Sequence, residues 1–208
     1  MRRCVIVGGA SIGDYEAVGA KLRPDDYMIY CDCGLRHMDE LGTAPDLIVG
    51  DFDSYSNPGL DAETIILPCE KDDTDTEIAM HKVFTLGCSE VVILGAFGGR
   101  MDHCVANIQL LKLALDRGVR AYLVDVQNRM CLIKERTLLR KEEQYGKYVS
   151  FLPFTDQVQG ITLTGYKYPL DNYTMVKGPA FGVSNEIEAD VSCVEIKNGI
   201  LLMIQSRD

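Results

Sequence analysis

Six short apolar runs punctuate the first part of the chain, at residues 3–7, 27–31, 47–49, 64–67, 91–94 and 121–124. None alternates apolar with polar. A strand with one wet face alternates, so unbroken runs predict strands covered on both faces. Between some of them the period lengthens. Cys104, Ile108, Leu111 and Leu115 recur at i, i+4, i+7 and i+11, and Ile78, Ala79, Val83 and Leu86 do nearly the same. Both patterns predict amphipathic helices. Gly87 and Gly118 follow them and predict where they stop. Strands alternating with helices predict an α/β N-terminal domain with a mostly parallel sheet, over residues 1–126.

The texture changes in residues 127–208. Short β-rich segments at 129–133, 148–152, 158–163, 192–196 and 200–204 are separated by turn residues. They predict a C-terminal antiparallel β-sandwich or barrel domain. Asn198-Gly199 predicts a hairpin between the last two strands. The charged stretch 134–147 reads as a loop or hairpin facing water. Tyr166 and Tyr168 alternate on a predicted strand, and residues 182–186 read as a turn.

Composition narrows the classes. With 208 residues, 47% of them hydrophobic, two small domains can each hold a core. The net charge of −10 is concentrated: residues 46–77 hold ten acids and one base, Lys71. A polyanion is repelled there, which argues against nucleic acid as a partner. The eight cysteines include no Cys-x-x-Cys pair, so no zinc knuckle is expected, and a disulfide framework normally accompanies export. The apolar run after Met1-Arg2-Arg3 is too short for a signal-peptide core, and no segment reaches the length of a membrane span. These features predict a reduced, cytoplasmic protein.

Three acidic motifs follow apolar runs: Gly50-Asp51-Phe52-Asp53-Ser54, Lys71-Asp72-Asp73-Thr74-Asp75-Thr76 and Gly98-Gly99-Arg100-Met101-Asp102-His103. In an open parallel sheet, ligands bind at the carboxyl ends of strands. Carboxylates gathered there repel one another unless a cation lies between them, and oxygen-only ligands favour Mg2+ or Ca2+. Thr74 and Glu77 match a capping box and can simply start a helix. Asp102 can cap the next helix or approach metal or substrate, and His103 can be an ordinary first-turn residue. The glycines before Arg100 let backbone N–H groups approach a phosphate, and Arg100 offers a fork for its oxygens. Gly8-Gly9 and Asp32-x-Gly34 are further strand-end features that fit either a nucleotide contact or a plain turn. His37 and His81 read as structural or solvent-facing.

Taken in order, Gly-Asp-Phe-Asp-Ser at 50–54, Lys-Asp-x-Thr-Asp-Thr at 71–76, Gly-Gly-Arg-x-Asp-His at 98–103 and Ser-Asn-Glu at 184–186 resemble the thiamine pyrophosphokinase family. The resemblance implies transfer of pyrophosphate from ATP to the hydroxyl of thiamine, with Mg2+, releasing AMP. It implies homodimers with the active site between subunits. It carries metal-side roles onto Asp51, Asp53 and Asp75, with Asp102 close by, and phosphate-holding roles onto Lys71 and Arg100. Asp32, Ser54, Asp72, Thr74, Gly98, Gly99 and His103 fall on the nucleotide side, and Ser184 and Asn185 on the thiamine side. Relatives often have Asp-Gly-Gly where this chain has Asp32-Cys33-Gly34. Some carry a thiamine-stacking tryptophan, and this chain has none. Two other readings fit single motifs: a haloacid-dehalogenase-type phosphatase using Asp51 as nucleophile, and a non-catalytic nucleotide or thiamine sensor.

Overall fold

The computed structural model describes residues 2–51, 59–68 and 73–208. Asp53, Ser54, Cys69, Lys71 and Asp72 therefore lie outside the described residues. The chain divides into two compact units, Met1–Val126 and Gln127–Asp208.

The first unit contains, in order, β1 (Arg3–Val7), α1 (Tyr15–Gly19), β2 (Tyr27–Cys31), a 3-10 turn (Asp32–His37), α2 (Met38–Leu41), β3 (Leu47–Gly50), β4 (Glu63–Ile66), α3 (Asp75–Thr85), β5 (Glu90–Leu94), α4 (Met101–Asp116) and β6 (Arg120–Val124). The strands lie in the order β6-β5-β1-β2-β3-β4, and every pair is parallel. Each residue of β1, β2 and β3 is buried, as unbroken apolar runs require. β4 departs from the expectation. It is the edge strand, and Ile66 is 70% exposed, because only one neighbour covers it.

Both predicted helices form. Gly87 (φ 66°) and Gly118 (φ 73°) take the left-handed conformation just past α3 and α4, as their place in the sequence predicts. Their buried rows are shifted from the predicted stripes. Met80 joins Ala79 and Val83 in α3, and Leu110 and Ala114 join Cys104 and Leu111 in α4; Ile78, Leu86, Ile108 and Leu115 are only half-buried. A helix lying across a sheet buries a wider arc than one stripe. At the amino end of the sheet the one buried arginine, Arg3, donates to both oxygens of Asp26 (2.6 and 2.5 Å) and to the Lys21 carbonyl (3.0 Å).

The cysteines depart from the reduced set expected. Cys4 and Cys88 form a disulfide across 84 residues of sequence. Parallel pairing of β1 with β5 sets Cys4 opposite Val91, three residues past Cys88, and no local pattern announces that pairing. Among the described residues Cys104, Cys131 and Cys193 form no disulfide.

The second unit holds β7 (Asn128–Ile133), β8 (Thr137–Arg140), β9 (Tyr148–Pro153), β10 (Gln157–Thr164), β11 (Leu170–Val176), β12 (Asn185–Glu186), β13 (Val191–Glu195) and β14 (Leu201–Ser206). One antiparallel group runs β12-β9-β14-β7 and the other β11-β10-β13-β8. Phe151 of the first group meets Tyr166, just past β10, edge to face at 5.5 Å. Two expectations fail here, the 198–199 hairpin and the 182–186 turn. Asn198-Gly199 does not close a hairpin. It links β13 and β14, which belong to different sheets, and residues 197 and 198 pair with Gln159 instead. The charges of stretch 134–147 face water as expected, though the stretch also contains β8, whose Leu139 is buried. The 182–186 segment ends in β12 rather than being only a turn. Tyr166 and Tyr168 do alternate, buried and 58% exposed respectively, but they lie beyond the end of β10.

Candidate functional site

The order β5-β1-β2 marks a reversal of direction: the chain builds away from β1 to one side, then returns through α3 to add β5 and β6 on the other. Crevices at such a point, beyond the carboxyl ends of the strands, are where open α/β sheets bind ligands. A cleft of about 520 Å³ lies there, large enough for a small ligand. Its lining comes from residues 8–11 after β1, 31–33 and 36 at and after the end of β2, 74–76 at the start of α3, 95, 96 and 98–100 between β5 and α4, and His103 and Asn107 of α4.

The floor of the cleft is close-packed backbone. A Cβ on Gly34 would stand 2.1 Å from the Val7 carbonyl oxygen, and one on Gly95 (φ 60°) would stand 2.2 Å from that of Gly8. These loops touch because neither residue carries a side chain. Backbone bonds from Gly8 to the Leu94 carbonyl (2.9 Å) and from Ala10 to the Gly95 carbonyl (3.0 Å) hold the contact. Asn107, in α4, donates to the Ala96 carbonyl at 2.9 Å and fixes the glycine loop from the helix side.

Of the residues expected at a site, Asp32, Thr74, Asp75, Gly98, Gly99, Arg100 and His103 meet in this cleft. Thr74 is also the N-cap of α3, its hydroxyl accepting from the Glu77 amide at 3.2 Å, so the capping reading holds. Asp32 has a positive φ of 38°, and its Oδ1 is buried with no hydrogen-bond partner among the described residues. Its Oδ2 accepts from the Cys33 thiol at 3.1 Å. Asp51 follows β3, half-buried, and does not line the cleft. Among the described residues no group of three or more His, Cys, Asp or Glu side chains is arranged to hold a metal. The expected trio of Asp51, Asp53 and Asp75 includes a residue outside that set.

Asp102 does not cap α4. It sits in the first turn, accepts from the His103 amide at 2.9 Å, and binds Arg100 side-on at 3.1 Å (Nε) and 2.6 Å (Nη2). The guanidinium holds the Asp102 carboxyl well below the usual carboxylate range, at about 2. A depressed value keeps this pair intact above the ordinary carboxylate pKa and loses it only as pH falls through about 2. The Asp102 side-chain carbon followed by NMR should therefore titrate near 2, and in R100A it should rise toward the ordinary carboxylate value, the His103 amide still holding it somewhat below. An unchanged midpoint in R100A would mean another group sets it.

Of the two alternatives for His37, structural or solvent-facing, the first holds: it is buried, and burial pushes its imidazole below the usual value. Its Nδ1 lies 2.7 Å from the Tyr15 hydroxyl, tying α1 to the 3-10 turn. Arg36 lines the cleft and belongs to no sequence motif.

Ser184 and Asn185 lie in the second unit. A separate cavity of about 530 Å³ is lined there by Tyr168, Phe181, Val183 and Asn185, among others. Asn185 is buried. Its Oδ1 accepts from the Tyr168 and Glu186 amides (2.9 Å each), and its Nδ2 donates to the Tyr168 carbonyl at 2.8 Å. The amide is thus engaged on both sides in holding Tyr168. Ser184, at φ 59°, donates its backbone N–H to Ser150 Oγ at 3.0 Å and does not line this cavity.

Known proteins give this geometry a family. Residues 20–123 match the model for the thiamin pyrophosphokinase catalytic domain, and residues 136–201 match the model for its vitamin B1 binding domain. The chain belongs to the thiamin pyrophosphokinase family. As a member it is an enzyme that transfers pyrophosphate to thiamine, which displaces the phosphatase and sensor readings. Thiamine pyrophosphokinase from Bacillus subtilis is 31% identical over 179 residues, covering 81% of this chain and 82% of the relative. The crystal structure of the Bacillus subtilis enzyme superposes with a TM-score of 0.89 at 29% identity over all of both chains. That of thiamin pyrophosphokinase from Geobacillus thermodenitrificans gives 0.88 at 30%, covering 99% and 98%. Other family members carry the same two-part fold, so the α/β reading of the first unit and the antiparallel reading of the second both stand.

Proposed function

We propose that the 520 Å³ cleft binds ATP and that the thiamine hydroxyl attacks its β-phosphorus there, releasing AMP. The observation that carries this is the meeting, at the reversal point of the sheet, of a glycine loop, a helix start and Arg100 with Asp32 and Asp75. The amide N–H groups at the start of α4 favour a phosphate. Asp102 occupies one edge of the Arg100 guanidinium and leaves its other N–H groups for phosphate oxygens. Fixed positive charge placed against oxygens that gain charge is the main catalytic device in phosphoryl-type transfer. Lys71 is assigned the same task. Asp102 acts as a positioning residue.

The donor set fits Mg2+. Asp32 brings a buried carboxylate oxygen with no partner among the described residues, and Asp75 lines the same cleft. An oxygen of this kind is costly unless a cation or donor satisfies it. We assign the metal to Asp51, Asp53 and Asp75, with Asp32 as a further candidate oxygen; when bound, Mg2+ would neutralise the phosphates. Ser54, Asp72, Thr74, Gly98, Gly99 and His103 are assigned to the nucleotide.

On the acceptor side we assign thiamine to the cavity of the second unit, near Ser184 and Asn185, with Tyr168 and Phe181 as its aromatic walls in place of tryptophan. Asn185 serves the ring by holding the backbone of Tyr168. Exposed Tyr168, Tyr173, Val176, Phe181 and Val183 gather on this unit, and Tyr173 stacks on Phe181 at 5.0 Å. An exposed apolar group of this kind supports a homodimer with the active site between subunits. We place the reaction in the cytoplasm, where ATP is made. Among the described residues no helix is long and apolar enough to cross a membrane.

The test is AMP release from Mg-ATP on adding thiamine. AMP should form in step with thiamine diphosphate, and no AMP above background would end this reading. In the same assay Asn185→Ala should raise the thiamine KM about tenfold through the lost hold on Tyr168 and leave the ATP KM unchanged. Equal effects on both would remove Asn185 from the acceptor side.

A further inference from the structure

Two arginines line the cleft among its described residues, Arg36 and Arg100. Arg100 is engaged by Asp102. Arg36 is exposed and makes no hydrogen bond or ion pair with any described residue, in a cleft whose other described charges include Asp32 and Asp75. Its seat is rigid. Leu35 and His37 on either side of it are buried, at 4% and 3% exposure. Gly34 packs against Val7, and His37 is tied to Tyr15. The 3-10 turn is therefore anchored on either side of Arg36, whose side chain stands exposed at the cleft.

The strand order sets its direction. β2 and β5 are separated by β1 alone, so the loops carrying Arg36 and Arg100 start about 10 Å apart, two strand spacings. That span suits a polyphosphate lying across the glycine backbone of residues 8–9 between them. A polyphosphate entering so acidic a region needs cations on both flanks.

We propose that Arg36 is a further nucleotide-binding residue. It takes a phosphate oxygen of the donor from the β2 side of the cleft while Arg100 takes one from the β5 side. This rests on the reading of the cleft as the nucleotide site.

The test is calorimetric binding of Mg-ATP and of AMP, without thiamine, to the full chain and to R36M and R36K. The unsubstituted protein should bind both. R36M should bind Mg-ATP about tenfold more weakly, the loss expected for one charge-assisted hydrogen bond. R36K should recover part of it, with unchanged circular dichroism and a thiamine KM within about twofold of the original. If R36M binds Mg-ATP as tightly as the unsubstituted protein, or raises the thiamine KM as much as the ATP KM, the role of Arg36 is overturned while the nucleotide site stands. If the unsubstituted protein binds neither nucleotide, the site assignment fails and Arg36 fails with it.

Discussion

Asp32→Asn should lower the rate of AMP formation about 10³-fold while leaving the fold intact. Asp32 sits just past β2 with φ 38°, a left-handed backbone that asparagine tolerates nearly as well as aspartate. The substitution keeps the side chain's shape, removes its charge and replaces one acceptor oxygen by an NH2 group. That charge is in an unusual position. One carboxylate oxygen is buried with no partner among the described residues, and Asp75 lines the same cleft. A protein tolerates such an arrangement where a bound cation relieves it, and active sites commonly give up stability for this. The melting temperature of the asparagine variant, without ligands, should therefore stay level or rise. A variant that turned over at nearly the original rate would show that Asp32 has no part in the chemistry. A collapsed melting temperature would make it structural.

The second large effect is on folding. Gly34→Ala should destabilise the protein by about 3 kcal/mol, lowering the melting temperature by roughly 10 °C. The new Cβ would lie 2.1 Å from the Val7 carbonyl oxygen and 2.9 Å from its carbon. Both atoms are backbone, so no side-chain rotation relieves the overlap. The loops after β1 and β2 would have to separate, and with them the cleft. Gly19, at the end of α1, is the control. Its Cβ would meet nothing within 4 Å, so Gly19→Ala should be neutral or slightly stabilising. Equal melting temperatures for the two variants would refute the close-approach argument.

Much of the site is legible along the chain because its parts are strand ends. An unbroken apolar run followed by glycine or aspartate marks where a parallel strand stops and a ligand can approach. Asp32, Asp75 and the 98–100 loop, singled out on that logic, line one cleft. The logic failed where the information is not local. Arg36 belongs to no motif and reaches the cleft only because the buried Leu35 and His37 fix the turn around it. Asn185 sits in a recognisable Ser-Asn-Glu motif, yet the use of its amide to hold Tyr168, 17 residues away, depends on how β12 lies against that segment. Asn198-Gly199 carries a hairpin signature, but the strands it joins pair with partners in separate sheets.

Periodicity, glycine placement and motif order were enough to determine the class of each half, the α/β alternation with its helix ends, and the kind of chemistry at the strand ends. These are properties of segments, since burial on both faces or on one face leaves a local signature. Which strands became neighbours was decided by the tertiary structure. It placed β5 beside β1, joined Cys4 to Cys88, left β4 at an edge and sent β13 and β14 to different sheets. Pairing energy depends on partners far away in sequence, and no window of the chain contains both sides of such a contact.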